Sequence, residues 1–231
     1  MHLVTQPNLL VEGFSSGYDN AEFINQWIKL EENALEGNMF LSPHFVIPAL
    51  KFLSPNVTPH FVAVKSSSGK LMGLAIFKES FDDRAYPFKH LESYSSIHTY
   101  LQGILLDKDH AKSAVHALFR YIKDSDFKTP IKFQDLSSDG EQFGYIKEGI
   151  EKLGGQWIEL YRQRRAILSL KERRQDYFLK CFNSKQRSDC NRRKKRLAEK
   201  GDVEWRIHRQ PSECRRCCLL YTSPSPRDRY I

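Results

Sequence analysis

The residues best suited to chemistry lie in a basic run between positions 172 and 201. Lys185, Arg187, Arg192, Arg193 and Arg196 form a candidate phosphate-binding set, because a guanidinium offers an oxyanion two parallel N–H bonds. The same run also reads as a solvated helix face, since like charges repel and seek water. Few aromatic residues stand among the arginines, which argues against base stacking. No zinc-finger, RNP or Walker pattern accompanies them.

Other reactive groups are more scattered. Asp82, Asp83 and Asp135 could serve as acid–base carboxylates, although loop carboxylates are usually just solvated. Tyr94 and His98 are candidates to line a groove. None of the eight histidines forms a metal-spaced pair with a carboxylate, and His110 and His116 lie six apart, a poor spacing for one helical ligand face. All five cysteines follow residue 180. Cys214 and Cys217 have the spacing of a zinc half-site, but no second Cys/His pair stands at a matching distance, so no metal site is expected. The others read as small buried apolar residues in a reducing compartment. No Gly-x-Ser-x-Gly elbow is present. Asn56-Val57-Thr58 is a glycosylation sequon with no secretion signal before it.

Charge divides the chain. Residues 1–160 carry 15 Lys/Arg against 20 Asp/Glu, and residues 161–231 carry 21 against 8. The overall +8 therefore comes entirely from the last third, which suggests a separate module or a surface for an anionic partner. The longest apolar run, Leu71 to Phe77, is strand-sized and far short of the roughly 20 residues of a membrane span. With no basic, apolar leader at the N-terminus, a cytoplasmic protein is expected.

Which elements would position these groups? Asp19-Asn20-Ala21-Glu22 resembles a capping box before a helix with Phe23, Ile24, Trp27 and Ile28 on one face. After a turn at Gly37-Asn38, Phe40 to Pro43 leads into a short helix through Phe45 and Leu50. Thr58-Pro59 opens a strand, Phe61 to Val64, joined by the Ser66–Gly69 loop to a buried antiparallel strand, Leu71 to Phe77. Leu91 to Ile97 and Gly103 to Leu106 read as further strands. Ala111, Ala114, Val115, Leu118, Phe119 and Ile122 have the spacing of one helix face. Ile131, Phe133 and Leu136 alternate as a strand. Phe143, Ile146, Ile150 and Leu153 define a helix ended by Gly154-Gly155, and Trp157 to Leu170 reads as one or two strands. That order predicts a mixed α/β (α+β) sheet with helices on both faces. Beyond it, Tyr177, Phe178, Cys181 and Phe182 suggest an amphipathic helix, and Asn183-Ser184 caps the basic helix, which stops at Gly201. Val203, Trp205 and Ile207 alternate as a strand without a sheet.

Cys218 to Asp228 resembles the in-frame translation of a transposase adapter used in DNA sequencing libraries. On that expectation residues 217–231 are an artefact, and the natural chain is cut near residue 216 by the end of a DNA fragment.

The combined pattern over residues 20–210 resembles the GNAT-type acetyltransferases of the cellulose-biosynthesis CelD family. The resemblance rests on Trp27, on Phe40-Leu41-Ser42-Pro43-His44-Phe45, and on Gly69-Lys70-Leu71-Met72-Gly73-Leu74. Its most specific part is Lys185-x-Arg187 followed by Arg192-Arg193, Arg196-Leu197 and Gly201. Such proteins have two GNAT-like halves, in a plan similar to the Fem transferases, which use aminoacyl-tRNA. The resemblance implies a GNAT-like mixed sheet over 1–170 and a basic helical segment with the first strand of a truncated second half over 171–216. It also implies an acetyl-CoA donor and an amine or sugar-amine acceptor from envelope or polysaccharide metabolism. The alternative is a nucleic-acid-binding protein using residues 172–201.

In such enzymes the CoA pyrophosphate sits on N–H groups at a helix N-terminus, beyond a Gly-rich turn. Here that turn would be Asp107-Lys108-Asp109, with no glycine and two carboxylates. At an effective dielectric of about 20, like charges about 4 Å apart repel by about 4 kcal/mol. Asp109 reads instead as a helix cap. The first domain is therefore expected not to bind CoA in the usual way, and the chain to be inactive alone.

Overall fold

Alternation of apolar side chains along two strands builds the centre of the molecule. In β3 (Pro59–Ser66) and β4 (Leu71–Ser80), successive residues feed two different cores. Val62, Val64, Ala75 and Phe77 face one, and Phe61, Ala63, Leu74 and Ile76 face the other. Both sides of the sheet must then be covered, and helices cover them.

The computed structural model describes residues 3–6, 9–81, 88–125, 129–165 and 179–204. The chain divides into two compact units, Met1–Tyr161 and Arg162–Ile231. In the first, β1 (Leu3–Gln6), β2 (Leu9–Phe14), β3, β4, β5 (His90–Ser93) and β7 (Ile131–Lys132) lie side by side in that order, and β6 (Leu105–Leu106) also pairs with β4. Among the described residues all ladders are antiparallel except β5 with β7, which run parallel across a helical crossover, and the isolated bridge Gln102–Leu136 is parallel too. The unit is thus a mixed α/β structure with a mostly antiparallel sheet flanked by helices.

On one face lie α1 (Ala21–Glu32) and α2 (Pro43–Pro48). Asn20 starts α1 by accepting the Phe23 N–H at 2.9 Å. Trp27, fully buried, donates from Nε1 to the Leu41 carbonyl at 2.8 Å, fixing the turn that launches α2. Phe61 packs against Trp27, Phe23, Phe14 and Tyr18, with ring centroids 4.8–6.4 Å away. Burying each such large side chain contributes about 1.5–3 kcal/mol.

The other face carries α3 (Ala111–Asp124) and α4 (Glu141–Lys152). Ala114, Val115 and Leu118 have no exposed surface, as their spacing predicts. Glycine allows two close approaches here. A Cβ at Gly73 would stand 3.2 Å from the Ala114 Cβ, and one at Gly149 would stand 2.9 Å from the Val115 Cγ1. The first lets β4 touch α3, and the second lets α4 touch α3.

Some sequence expectations are corrected. The hairpin β1–β2 is not evident from periodicity, because Glu12 and Gly13 interrupt the apolar pattern; Gly13 is where the Tyr121 hydroxyl meets the strand. The strand expected over Leu91–Ile97 ends at Ser93. Trp157 to Leu160 belongs to no strand, and Ile158 is 77% exposed. No ladder receives that segment among the described residues, and Trp157 instead takes Lys147 Nζ over its ring at 4.0 Å. Residues 166–170 lie outside the described residues.

In the second unit, α5 (Ser184–Ala198) is the basic helix. Asn183 and Gln186 form a reciprocal capping box, with bonds of 2.9 and 3.0 Å. No residue of α5 is buried. Tyr177, Phe178, Trp205 and Ile207 lie outside the described residues, as do Cys214, Cys217, Cys218 and the tail. Val203 is exposed and belongs to no strand.

Candidate functional site

The turn from β6 into α3 is built on one carboxylate. Asp107 is fully buried and accepts four hydrogen bonds, two on each oxygen. Lys70 Nζ and Asn33 Nδ2 reach Oδ2 at 2.7 and 3.0 Å. His110 Nδ1 and the Asp109 N–H reach Oδ1 at 2.9 and 3.1 Å. The four donors come from three places: Lys70 from the β3–β4 hairpin, Asn33 from the end of α1, and His110 and the Asp109 N–H from the turn itself.

Met72 supplies the backbone part of this arrangement. Between Val64–Gly73 and Lys65–Leu71 the register slips, leaving Met72 as an extra residue in β4. Its carbonyl accepts the Asp107 N–H at 2.9 Å.

Burial by itself would raise the Asp107 carboxyl. The bonds from Lys70, His110, Asn33 and the Asp109 backbone outweigh it and hold the group far below the usual carboxylate range. Asp107 is therefore ionised and can only accept. His110 Nδ1 must then carry the proton of their hydrogen bond, leaving Nε2 as the second ring position.

The expected role of Asp109 is corrected by this geometry. His110 is the N-terminal cap residue of α3 and makes no side-chain cap bond. The carboxylate that meets the incoming N–H is that of Asp107, two residues before Asp109, as in an Asx turn. Asp109 instead accepts from Asn33 at 3.4 Å. The turn thus supplies its own anion where a helix N-terminus would attract a foreign one.

Beside this turn opens a shallow cleft of about 390 Å³, lined by Asp109, His110, Lys112, Ser113, His116 and Lys152. Lys112 and Lys152 both reach Glu148 Oε1 at 2.8 Å and draw its carboxyl down to about 2. Burial, with help from Arg120 and Lys152, lowers His116 below its ordinary value. The two histidines do line one cleft despite their spacing. No group of three metal-ligating side chains occurs among the described residues.

A second filled position lies where the strand carrying residues 90–106 leaves the sheet. Its two ends pair with β4, at His90–Ser93 and at Leu105–Leu106, while residues 95–104 swing out. In the resulting gap the buried Gln142 amide pairs with Ile104 as a strand would. It donates to the Ile104 carbonyl at 2.6 Å and accepts the Ile104 N–H at 3.1 Å. Gly103, at φ +149°, leaves room for it, since a Cβ there would collide with Gln142 Oε1. Gln102 is buried nearby, taking the Ser93 hydroxyl and the Gln134 N–H, the latter at 2.8 Å. Glu36 holds the start of α4 through the Gln142 N–H at 2.8 Å.

Other sequence candidates are dispersed. Tyr94 is buried, with its hydroxyl 3.4 Å from Ser54 Oγ, and burial raises its pKa. His98 is exposed on the excursion. Asp135 contributes its backbone carbonyl to the Gln102 N–H at 2.9 Å. Asp82 and Asp83 lie outside the described residues. Sequence reading missed Glu92, which crosses three strands to Lys78 at 3.4 Å and Lys132 at 3.8 Å. It also missed Lys70, Asn33 and Gln142, whose roles depend on residues far away in sequence.

In α5 the candidate cations have different employments. Arg187 donates to the Leu179 and Phe182 carbonyls at 3.0 and 2.5 Å. Arg192 and Arg193 both pair with Asp189. Lys185 and Arg196 make no side-chain ion pair or hydrogen bond among the described residues. Cys181 and Cys190 are exposed, against the expectation that they would be buried; Cys190 lies on α5, which has no core to enter.

No family model, curated protein or solved structure matches the chain. Fold and geometry define a mixed α/β unit with an internally filled strand-to-helix turn, and a separate unit bearing an exposed basic helix. No helix among the described residues is long and apolar enough to cross a membrane.

Proposed function

We propose that the first unit is a GNAT-like domain of an N-acyltransferase, and that it serves as a scaffold while another part of the protein binds the donor. The reaction moves an acetyl group from acetyl-CoA to an amine or sugar-amine. The thioester C–S bond breaks as the amide C–N bond forms, CoA leaves as the thiol, and a base takes the amine proton.

The observation that carries the reading is the parallel crossover from β5 through α3 to β7, on a sheet whose other ladders among the described residues are antiparallel. On this reading the thioester would lie beside the segment 95–104 that leaves β4, and the pyrophosphate would meet the turn into α3. In this unit Gln142 fills the first place and the Asp107 turn the second. A thioester carbonyl needs a backbone N–H left open to it. The Ile104 N–H is already taken, which supports a scaffold role.

The test has two arms. Calorimetric titration of this chain with acetyl-CoA, up to about 1 mM, the upper end of ordinary KM values, should show no saturable binding. The complete reading frame should release CoA thiol only when an amine acceptor, drawn from a panel of amino sugars and diamines, is supplied. Saturable binding by the chain alone would sink the scaffold assignment. Absence of amine-dependent thiol release from the complete protein would sink the acyltransferase reading.

A further inference from the structure

The second unit carries a feature that acyl transfer does not use. Seven of the fifteen residues of α5 are Lys or Arg and one is acidic, and none of the fifteen is buried. A helix with no face in a core gets its stability from its ends and its own side chains. The capping box at Asn183 and the Asp189 pairs with Arg192 and Arg193 supply both. The helix therefore stands formed before any partner arrives.

Its charges run round the whole circumference. At about 100° per residue, Lys185, Arg192 and Arg196 cluster on one side. Arg187 and Lys194 fall on the opposite side, with Arg193 and Lys195 between. Lys185, Lys194, Lys195 and Arg196 have no side-chain partner among the described residues, so three cations are available on opposite walls of the helix and Lys195 between them.

This distribution selects among anions. A small phosphate needs donors that converge, and side chains radiating from one straight helix diverge. An anionic membrane meets only one side of a helix, and helices that lie on membranes bring an apolar face. In α5 the apolar side chains are few, and Leu197 is 51% exposed. Single strands need aromatic platforms, and the helix has none. A groove with phosphates along both edges fits. The major groove of B-form DNA is about 12 Å wide and admits a helix about 10–12 Å across, whereas the deep, narrow groove of duplex RNA does not.

We propose that α5 binds double-stranded DNA without sequence preference, lying in the major groove with Lys185 and Arg196 directed to phosphates on one side, Lys194 to those on the other, and Lys195 between them within reach of the backbone. About four neutralised phosphates give a slope of about −3.6 for log affinity against log salt. Between about 50 and about 200 mM salt the affinity should fall about 100-fold.

The experiment is fluorescence anisotropy of the full chain with a labelled random-sequence DNA duplex across that salt range. The variant Lys194→Glu/Lys195→Glu should weaken binding at least about tenfold, and Lys194→Arg/Lys195→Arg should retain it, with unchanged circular dichroism in both. Three results would each overturn the assignment. One is absence of duplex binding at the lowest salt. Another is equal binding by the Glu variant. The third is equal or tighter binding to duplex RNA or to phosphatidylglycerol vesicles at the same salt. Thiol release by the complete protein is a separate readout, so failure here leaves the acyltransferase test undecided by it.

Discussion

Replacing Asp107 by Asn keeps the shape of the turn and removes its charge. The carboxylate accepts two donors on each oxygen, and the amide can accept on only one. Whichever way the amide turns, two donors face an NH2 group. Hydrogen bonds to a charged group are worth about 1.5–3 kcal/mol each. Lys70 is 52% exposed and regains water when released, so its share is discounted. Asn33 and the turn itself have less recourse. The expected loss is about 3 kcal/mol, the low end for breaking a buried charged pair. Urea unfolding of both chains at pH 7 measures it. A lower midpoint with an unchanged slope marks a change in stability alone.

The pH dependence carries the sharper check. Because folding depresses the Asp107 carboxyl, its contribution is fully present above the unfolded value of about 3.9 and is lost as pH falls toward the lower folded value. Between pH 5 and 8 the gap between wild type and variant should therefore be constant, and below about pH 4 it should narrow. A difference under about 0.5 kcal/mol at pH 7, the scatter of ordinary surface changes, would refute the reasoning. So would a gap that persists undiminished at about pH 3.

Gln142→Ala should cost about 3 kcal/mol in the same assay, because it strands the buried N–H and C=O of Ile104 together. A loss below about 1 kcal/mol would mean that water replaces the amide without penalty. Gly149→Ala sets a helix-propensity gain of about 1 kcal/mol against the clash with Val115, and a net loss of about 1 kcal/mol is expected. A double-mutant cycle with Val115→Ala should return a favourable coupling of about 1 kcal/mol; additive effects would place the strain elsewhere.

Much of the first unit was legible because its signals are local. The α3 spacing and the turn between β3 and β4 each depend on residues within a few positions of one another, whereas the start of α1 was read one residue early, since Asn20 and not an Asp19–Glu22 box caps it. Strand extent was less legible. Leu91 to Ile97 and Trp157 to Arg165 have strand-like composition, yet the first keeps its ladder only to Ser93 and the second has none, because a strand exists only where a neighbour offers an unpaired edge. The cysteines misled for a related reason: Cys190 is exposed because α5 presents no core to receive it, and Cys181 before it is exposed as well.

The sequence by itself determined the charge division, the mixed sheet with helices on both faces, and a strand-to-helix turn rich in carboxylate rather than glycine. It could not say what those carboxylates do. Asp107 and Asp109 are two residues apart and chemically alike, yet one is buried beneath four donors and the other lines an open cleft. That difference comes from Lys70 and Asn33, which lie 37 and 74 positions away along the chain. Gln142 likewise completes a strand pairing 38 positions earlier. Hydrogen-bond satisfaction of buried groups is settled by which distant segments the fold brings together, so only the tertiary structure could decide it.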